Sequence, residues 1–394
     1  YYQLFGTNPF FYHLHSLLVH LLSTVLVYFI IETLIGNWKL EIGNYNSAPF
    51  IGALLFGLHP IHTESITYIA ASMEMTGVVF MLASFWLYLM HTTRKIASYS
   101  LALFAFFTYE MTLTLPLLLV LYEVTVGRLG LRGIIRKTWG YWVGVGGFLL
   151  IRFSLGVGLA RGDYLAFSPY HTWLTMTKMI VKYLWLLVWP VTLSHNHTVV
   201  PGFEAFMTPY SDQSAILRQS ILDPEILASI TVITVIIVIT IIQRKKHPIL
   251  SFAIGWFFVS LLLVLYIFPQ GTAIAEKYLY TASIGFVILL SWVFYNLYKS
   301  YNRYKHYIFL IVGVVALSYG ARTAVRNADW QSPISLWEHE TVVHPASELA
   351  YYNLGVYYAE LGYREKAIAA YKKALELKPQ FWQAKNNLQN LQKL

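Results

Sequence analysis

The 394-residue sequence contains no cysteine. Disulfides, thiolate zinc sites, iron–sulfur clusters and cysteine nucleophiles are thereby excluded. Charge is scarce: Asp, Glu, Lys and Arg together make up 12% of the chain, where soluble domains carry about 25%. No Walker loop, dinucleotide fingerprint or Gly-x-Ser-x-Gly elbow occurs, so a nucleotide-dependent reaction has no support. Methionine is missing from the first position. The chain opens at Tyr1 inside an aromatic, polar stretch, with no signal peptide before it, which reads as a missing natural N-terminus. What is abundant is apolar surface: 57% hydrophobic residues and 17% aromatics, with a mean hydropathy of +0.53. That balance excludes an ordinary soluble enzyme, a disordered chain and a nucleic-acid-binding module, and it predicts an all-α integral membrane protein.

A helix needs about 20 apolar residues to cross a bilayer core. About ten spans are read, near 11–35, 48–70, 73–91, 97–108, 111–127, 138–160, 226–243, 248–268, 278–298 and 306–325. The pair 97–108 and 111–127 is the weakest. The first of them crosses only if Tyr109 and Glu110 lie in a cavity rather than in lipid. The linkers after alternate spans hold thirteen basic residues: Lys39, Arg94, Lys95, Arg128, Arg132, Arg136, Lys137, Arg244, Lys245, Lys246, Lys299, Arg303 and Lys305. The opposite loops hold only Arg161, Arg218 and Lys277. The positive-inside rule makes the first set cytoplasmic. The net charge of +9 is then mostly a topology signal, and the C-terminal region is expected outside or in a lumen. An odd number of spans would precede Tyr1 if the true N-terminus is cytoplasmic. Residues 172–190 break the parity. They contain Lys178 and Lys182, end at Trp189-Pro190, and read as an interfacial or re-entrant helix on the outer face.

Residues 1–326 form the expected membrane domain and 327–394 a tetratricopeptide-repeat region. One full repeat covers 348–381: Leu354-Gly355, Tyr358, Ala367, Tyr371, Ala374 and Pro379 fill its pattern. Trp337 and Pro345 lie 34 residues before Tyr371 and Pro379, and Leu388 lies 34 after Leu354. A single repeat cannot bury its own apolar face, so this tail is expected to pack on the membrane domain, continue in a longer chain, or both.

The most concentrated polar cluster is His59-Pro60-Ile61-His62-Thr63-Glu64. Pro60 should break the second span, and a broken helix is tolerated only where it lines protein or water. His59, His62 and Glu64 suit either an anionic group or metal, or a hydrogen-bonded structural kink. No cluster has convincing metal spacing, so no metal site is expected. Glu74 and Glu110 are intramembrane carboxylates that can polarise a hydroxyl, or are simply solvated at the interface. Lys277, followed by Tyr278 and Tyr280, suits a lipid phosphate or an interfacial anchor. His13, Ser16 and His20 share one helix face for inter-helix hydrogen bonds. His195 and His197 lie in the long outer loop, against substrate or plainly on the surface.

The order and spacing of several segments resemble a known family. They are Asn8-Pro9-Phe10 with Tyr12-His13, the stretch Leu55 to Glu64, the stretch Tyr109 to Pro116, Lys277-Tyr278-Leu279-Tyr280 with Ser283-Ile284-Gly285-Phe286, Asn327 with Asp329-Trp330, and the repeat. Together they resemble the transmembrane and tetratricopeptide-repeat O-mannosyltransferases and their prokaryotic relatives, within the glycosyltransferase C superfamily. The resemblance implies transfer of mannose or a similar hexose from a polyprenyl-phosphate donor to a protein hydroxyl or other acceptor on the outer or lumenal face. No cofactor is implied beyond that lipid-linked donor, and no nucleic-acid partner; the repeat would engage the acceptor protein. The family's acidic pair, expected to supply the base, would precede Tyr1. Ser72 replaces the Arg often found two positions before the acid matched by Glu74. Tyr109 replaces the Lys before the acid matched by Glu110, and Lys277 replaces an Arg, losing its bidentate fork. The expected site is therefore Glu74, Glu110 and Glu64 as polarising or orienting groups, with Lys277, Arg161, Tyr278 and Tyr280 on the donor phosphate. His59, His62, His195 and His197 line it. Two other readings stand beside this one: a transporter or flippase for a lipid-linked substrate, against which the lack of an inverted repeat counts, and a catalytically silent scaffold that recruits a partner through its repeats.

Overall fold

The computed structural model describes residues 3, 6–37, 47–90, 94–160, 162–195, 197–200, 203–204, 214–269 and 274–393. The helices of eight or more residues run, in order, α1 (Pro9–Asn37), α2 (Ser47–Leu58), α3 (Ser72–Leu89), α4 (Lys95–Thr108), α5 (Leu115–Tyr122), α6 (Leu131–Ser154), α7 (Pro169–Val188), α8 (Pro224–Gln243), α9 (Pro248–Leu261), α10 (Leu279–Ser300), α11 (Lys305–Asp329), α12 (Pro333–Val343), α13 (Glu348–Glu360), α14 (Arg364–Leu377) and α15 (Trp382–Lys393). A small antiparallel ribbon, Thr198–Val200 with Phe203–Glu204, interrupts the helices.

Among the described residues, six helical segments are long and apolar enough to cross a membrane: Pro9–Gly36, Ile69–Leu89, Glu110–Gly127, Pro224–Gln243, Glu276–Ser300 and Lys305–Asp329. Helices α2, α4 and α9 are apolar but shorter. One break cuts an expected span, and a second falls between two of them. The second expected span ends at Leu58, because the Pro60 ring cannot continue the α-helical hydrogen bonding. A 3₁₀ turn over Pro60–His62 and a single helical turn over Thr63–Thr67 follow. At Tyr109 the backbone is extended, and a 3₁₀ turn over Glu110–Thr114 leads into α5. Helix α7 sets the middle of its length beside the start of α8, with Lys178 Nζ 3.8 Å from Glu225. Its end lies where His59 Nε2 meets the Leu187 carbonyl at 3.0 Å.

The centre of the bundle is α1, α3, α9 and α10, where Val27, Ile30, Leu82, Phe85, Trp256 and Ile284 are all buried. Gly285 allows a close crossing of α10 with α9. A Cβ there would collide with the Ala253 carbonyl oxygen on α9, the small-residue contact by which membrane helices approach. Helices α8 and α11 instead turn apolar side chains outward. Ile242 is 69% exposed and Leu317 is 76% exposed, an arrangement stable only with lipid as the solvent. The molecule is an integral membrane protein.

The C-terminal helices α13 and α14 pair as a tetratricopeptide hairpin. Their core is Leu354, Tyr358, Ala367, Ala370, Tyr371 and Ala374. Gly355 faces the Tyr371 ring so closely that a Cβ would stand 2.7 Å from it, which explains the small residue of the Leu-Gly pair. Tyr358 anchors α13 to α12 by donating to Glu338 Oε1 at 2.6 Å.

Candidate functional site

The broken second span delivers a carboxylate to the end of the bundle from which α3 departs and at which α4 ends. Glu64 sits on the turn Thr63–Thr67 and is buried. Its Oε2 accepts from the Lys277 backbone N–H at 3.0 Å, and its Oε1 stands 3.3 Å from His195 Nδ1. Lys277 lies on the 3₁₀ turn Glu276–Tyr278 that opens α10. Its ammonium reaches Glu74 Oε1 at 2.7 Å, with side chains 19% and 24% exposed. The same ammonium lies 5.9 Å from the ring centres of Tyr68 and Tyr278. Glu74, Lys277, Tyr278, Tyr109 and Ser65 line one narrow cleft of about 10 Å³. A carboxylate, an ammonium and aromatic faces at one mouth can hold a phosphate and polarise a hydroxyl.

Glu110 does not join that cluster. It pairs with Arg152 at 3.1 Å, both side chains being mostly buried. The pair helps to line an adjoining apolar cleft of about 200 Å³, partly open to the surroundings, with Leu113, Phe148, Leu149 and Leu263. Met111 lines both clefts. Arg161 lies outside the described residues.

The histidines separate into two sets. His59 is fully enclosed: Nδ1 accepts from the Ile61 N–H at 3.2 Å, and Nε2 meets the Leu187 carbonyl. It caps the Pro60 break and belongs to the kink. His62 Nε2 meets Ser283 Oγ at 2.9 Å. Its ring packs with His20, Phe56 and Tyr280 at centroid distances between 4.5 and 5.4 Å. The Tyr280 hydroxyl meets His20 Nδ1 at 3.0 Å, so although its residue touches the cleft, its polar tip is spent on α1. The expected face of α1 is partly revised. Ser16 and His20 are buried, but His13 is exposed, and it is His15 that reaches Thr76 at 3.0 Å. Among the described residues, no group of three His, Asp or Glu is placed to hold a metal.

His195 and His197 are anything but surface residues. The loop after α7 is held from two sides. The Ser194 N–H donates to Glu276 Oε1 at 2.6 Å, and His197 Nε2 meets the same oxygen at 3.0 Å. From the repeat side, Glu340 on α12 accepts from Ser194 Oγ at 2.6 Å and from the His195 N–H at 2.7 Å. Arg326, fully buried at the end of α11, stands 3.2 Å from Asp329 and 3.9 Å from Glu276. The His195 ring is walled by Trp330, Trp337 and Tyr68, at 5.3, 5.9 and 6.1 Å. Burial holds the His197 imidazole well below its usual pKa, and Lys182 adds to the effect. Sequence reasoning missed Glu276, Arg326, Glu340 and Arg152. The one available signal was a charged residue inside or beside an apolar run, since such residues are expensive without a partner.

Comparison with known proteins follows the same division. A tetratricopeptide-repeat family matches residues 349–381. Over 97% of its length the chain is 24% identical to a protein O-mannosyl-transferase of Caenorhabditis elegans, covering 53% of that protein. Over 94% it is 25% identical to the human protein O-mannosyl-transferase TMTC2, covering 53%. Over 96% it is 22% identical to the human protein O-mannosyl-transferase TMTC3, covering 43%. The chain thus spans about half the length of these curated relatives. No solved structure matches it. Along nearly its whole length the chain is similar to protein O-mannosyl-transferases, and its C-terminal hairpin carries a tetratricopeptide-type repeat.

Proposed function

We propose that this protein transfers mannose or a similar hexose from a polyprenyl-phosphate donor to a protein hydroxyl. The observation that carries the reading is the Lys277–Glu74 pair at 2.7 Å, partly exposed at a narrow cleft beside an apolar one. A donor phosphate drawn to Lys277 takes over its charge and releases Glu74. The freed carboxylate, in place of the upstream acidic pair that the resemblance implies, accepts the proton of the acceptor hydroxyl as its oxygen bonds to the sugar's anomeric carbon. The bond from that carbon to the phosphate oxygen breaks, and polyprenyl phosphate leaves with the electron pair, its charge met by Lys277. Glu64 touches neither reactant. It is a positioning residue that fixes the Lys277 backbone and the His195 ring. The isoprenoid tail has the apolar cleft beside Met111 and Leu113, with Arg152 at its polar end where sequence reasoning put Arg161.

In this reading the basic loops face the cytoplasm and the cleft opens on the outer or lumenal side. The repeat helices stand on the cleft side, where they present the acceptor protein. The chain 1–326 acts as the transferring unit and 327–394 as the presenting one.

The test is sugar transfer from polyprenyl-phosphate mannose to an acceptor peptide by the purified protein. Removing a preorganised charge partner costs on the order of 100-fold in turnover. Lys277→Ala should lose that much and also weaken donor binding. Glu74→Gln should lose turnover while donor binding stays or tightens. Unchanged donor affinity in Lys277→Ala would take that residue out of the site.

A further inference from the structure

A second polar pocket lies at the opposite end of the bundle. Helix α3 carries Glu74 in its first turn and Tyr88 near its end, about 21 Å further along the axis at 1.5 Å per residue. Helix α6 likewise has Arg152 near the first cleft and Arg136-Lys137 at its far end. There, α3, α4 and α6 border a pocket of about 380 Å³ whose lining includes Lys95, Arg136, Lys137, Tyr99 and Trp139. Its floor is rigid: Ser98 Oγ lies 2.6 Å from the Tyr141 hydroxyl and donates to the Ser84 carbonyl at 2.8 Å. Lys137 is aimed by a buried carboxylate. Glu123 Oε1 accepts from its ammonium at 2.9 Å and from the Tyr88 hydroxyl at 2.6 Å. Arg136 and Lys95 are exposed and have no ion-pair partner among the described residues. Three cations against one carboxylate leave a net of two positive charges at the pocket.

Its surroundings are lipid-facing. Trp139 is 57% exposed, Ile135 56% and Ile96 83%, the pattern of an aromatic and apolar rim at a membrane interface. We propose that this pocket binds a phosphate-bearing anion, presented by a phospholipid headgroup, at the membrane face opposite the sugar-transfer cleft. The charge selects the phosphate, the volume suits a small headgroup, and the exposed Ile96, Ile135 and Trp139 receive the adjoining glycerol and acyl chains. The pocket shares no residue with the cleft, so it stands or falls independently of the proposed reaction.

The experiment is native mass spectrometry of the intact chain with dioctanoyl phosphatidic acid or dioctanoyl phosphatidylcholine, repeated with millimolar inorganic phosphate as competitor. The wild type should retain the phosphatidic acid preferentially. Arg136→Gln and Lys95→Gln, measured separately, should each weaken it about fivefold, the effect of one interfacial charge. Arg303→Gln, on the same membrane face but outside the pocket, should leave it unchanged. Displacement by inorganic phosphate would mean that the phosphate group alone is recognised; retention would mean that the lipid is needed with it. Equal retention of both lipids would overturn the proposal, as would an equal loss in Arg303→Gln. Both substituted pocket side chains are exposed, so each variant should fold, and each alone decides the matter.

Discussion

Glu340 is the strongest single fastening between the repeat helices and the loop that carries His195. Its carboxylate is buried and accepts the Ser194 hydroxyl at 2.6 Å and the His195 backbone N–H at 2.7 Å. A hydrogen bond to a charged group contributes about 1.5–3 kcal/mol, and an orphaned buried donor costs a comparable amount. The Ser194 hydroxyl can rotate to another acceptor, whereas the His195 N–H is fixed by the backbone. Glu340→Ala should therefore weaken closure of the loop by about 3 kcal/mol, a rise on the order of 100-fold in the opening equilibrium. Amide hydrogen exchange reads this directly, because the His195 amide is itself the group bonded to Glu340. In the variant, the His195 amide should exchange on the order of 100-fold faster. Glu340→Gln, which keeps one acceptor oxygen, should fall between. Exchange at 194–195 unaltered in Glu340→Ala would refute the fastening. Sugar transfer should fall with it, since His195 contacts Glu64.

Other expected outcomes follow from single contacts. His197 is held neutral by burial, with Glu276, Glu340, Glu64, Lys182 and His344 around it. The unfolded loop takes up a proton below about pH 6.5 while the folded loop does not. The His197 contribution to closure should therefore be present above that pH and be lost as pH falls; the difference between wild type and His197→Gln in exchange at 194–197 isolates it. Tyr358→Phe removes a 2.6 Å hydrogen bond to Glu338 and should cost about 1 kcal/mol, seen as a lower thermal midpoint for the repeat. Gly285→Val forces a branched side chain against the Ala253 carbonyl and should lower folded yield sharply in detergent extracts, while Gly313→Val, in open space on α11, should not.

Much of the fold was legible because the membrane imposes long apolar runs. Pro60 and the Tyr109-Glu110 pair announced the two breaks, since neither can sit in a continuous lipid-facing helix. The repeat was legible from its 34-residue period. The candidate site was only half legible. Lys277, Glu74 and Glu64 were named, and their convergence depends on the break at Pro60 turning Glu64 back toward α10. Glu110 was named with the wrong companions, because Arg152 lay hidden inside an apparent span. The clasp of Glu276, Arg326 and Glu340 on residues 194–197 joins positions more than seventy residues apart, and no local spacing encodes such a meeting. The same reason makes His195 and His197 look like surface residues until their partners are known.

Helix α11 has an unusual pair of surroundings. Its shaft is bathed in lipid, and its last turns hold Arg326 inside the clasp. Its 25 residues form a rod about 37 Å long, and a change of about 5° in tilt moves one end by about 3 Å. Tilting is one way in which a long apolar helix accommodates a thinner bilayer. A change in the tilt of this rod is therefore expected to reach Arg326 and, through Glu276, the loop at Ser194. Exchange at Ser194 and His195 is expected to rise in nanodiscs of short-chain lipid, and exchange indifferent to acyl length would show that the rod is mechanically isolated.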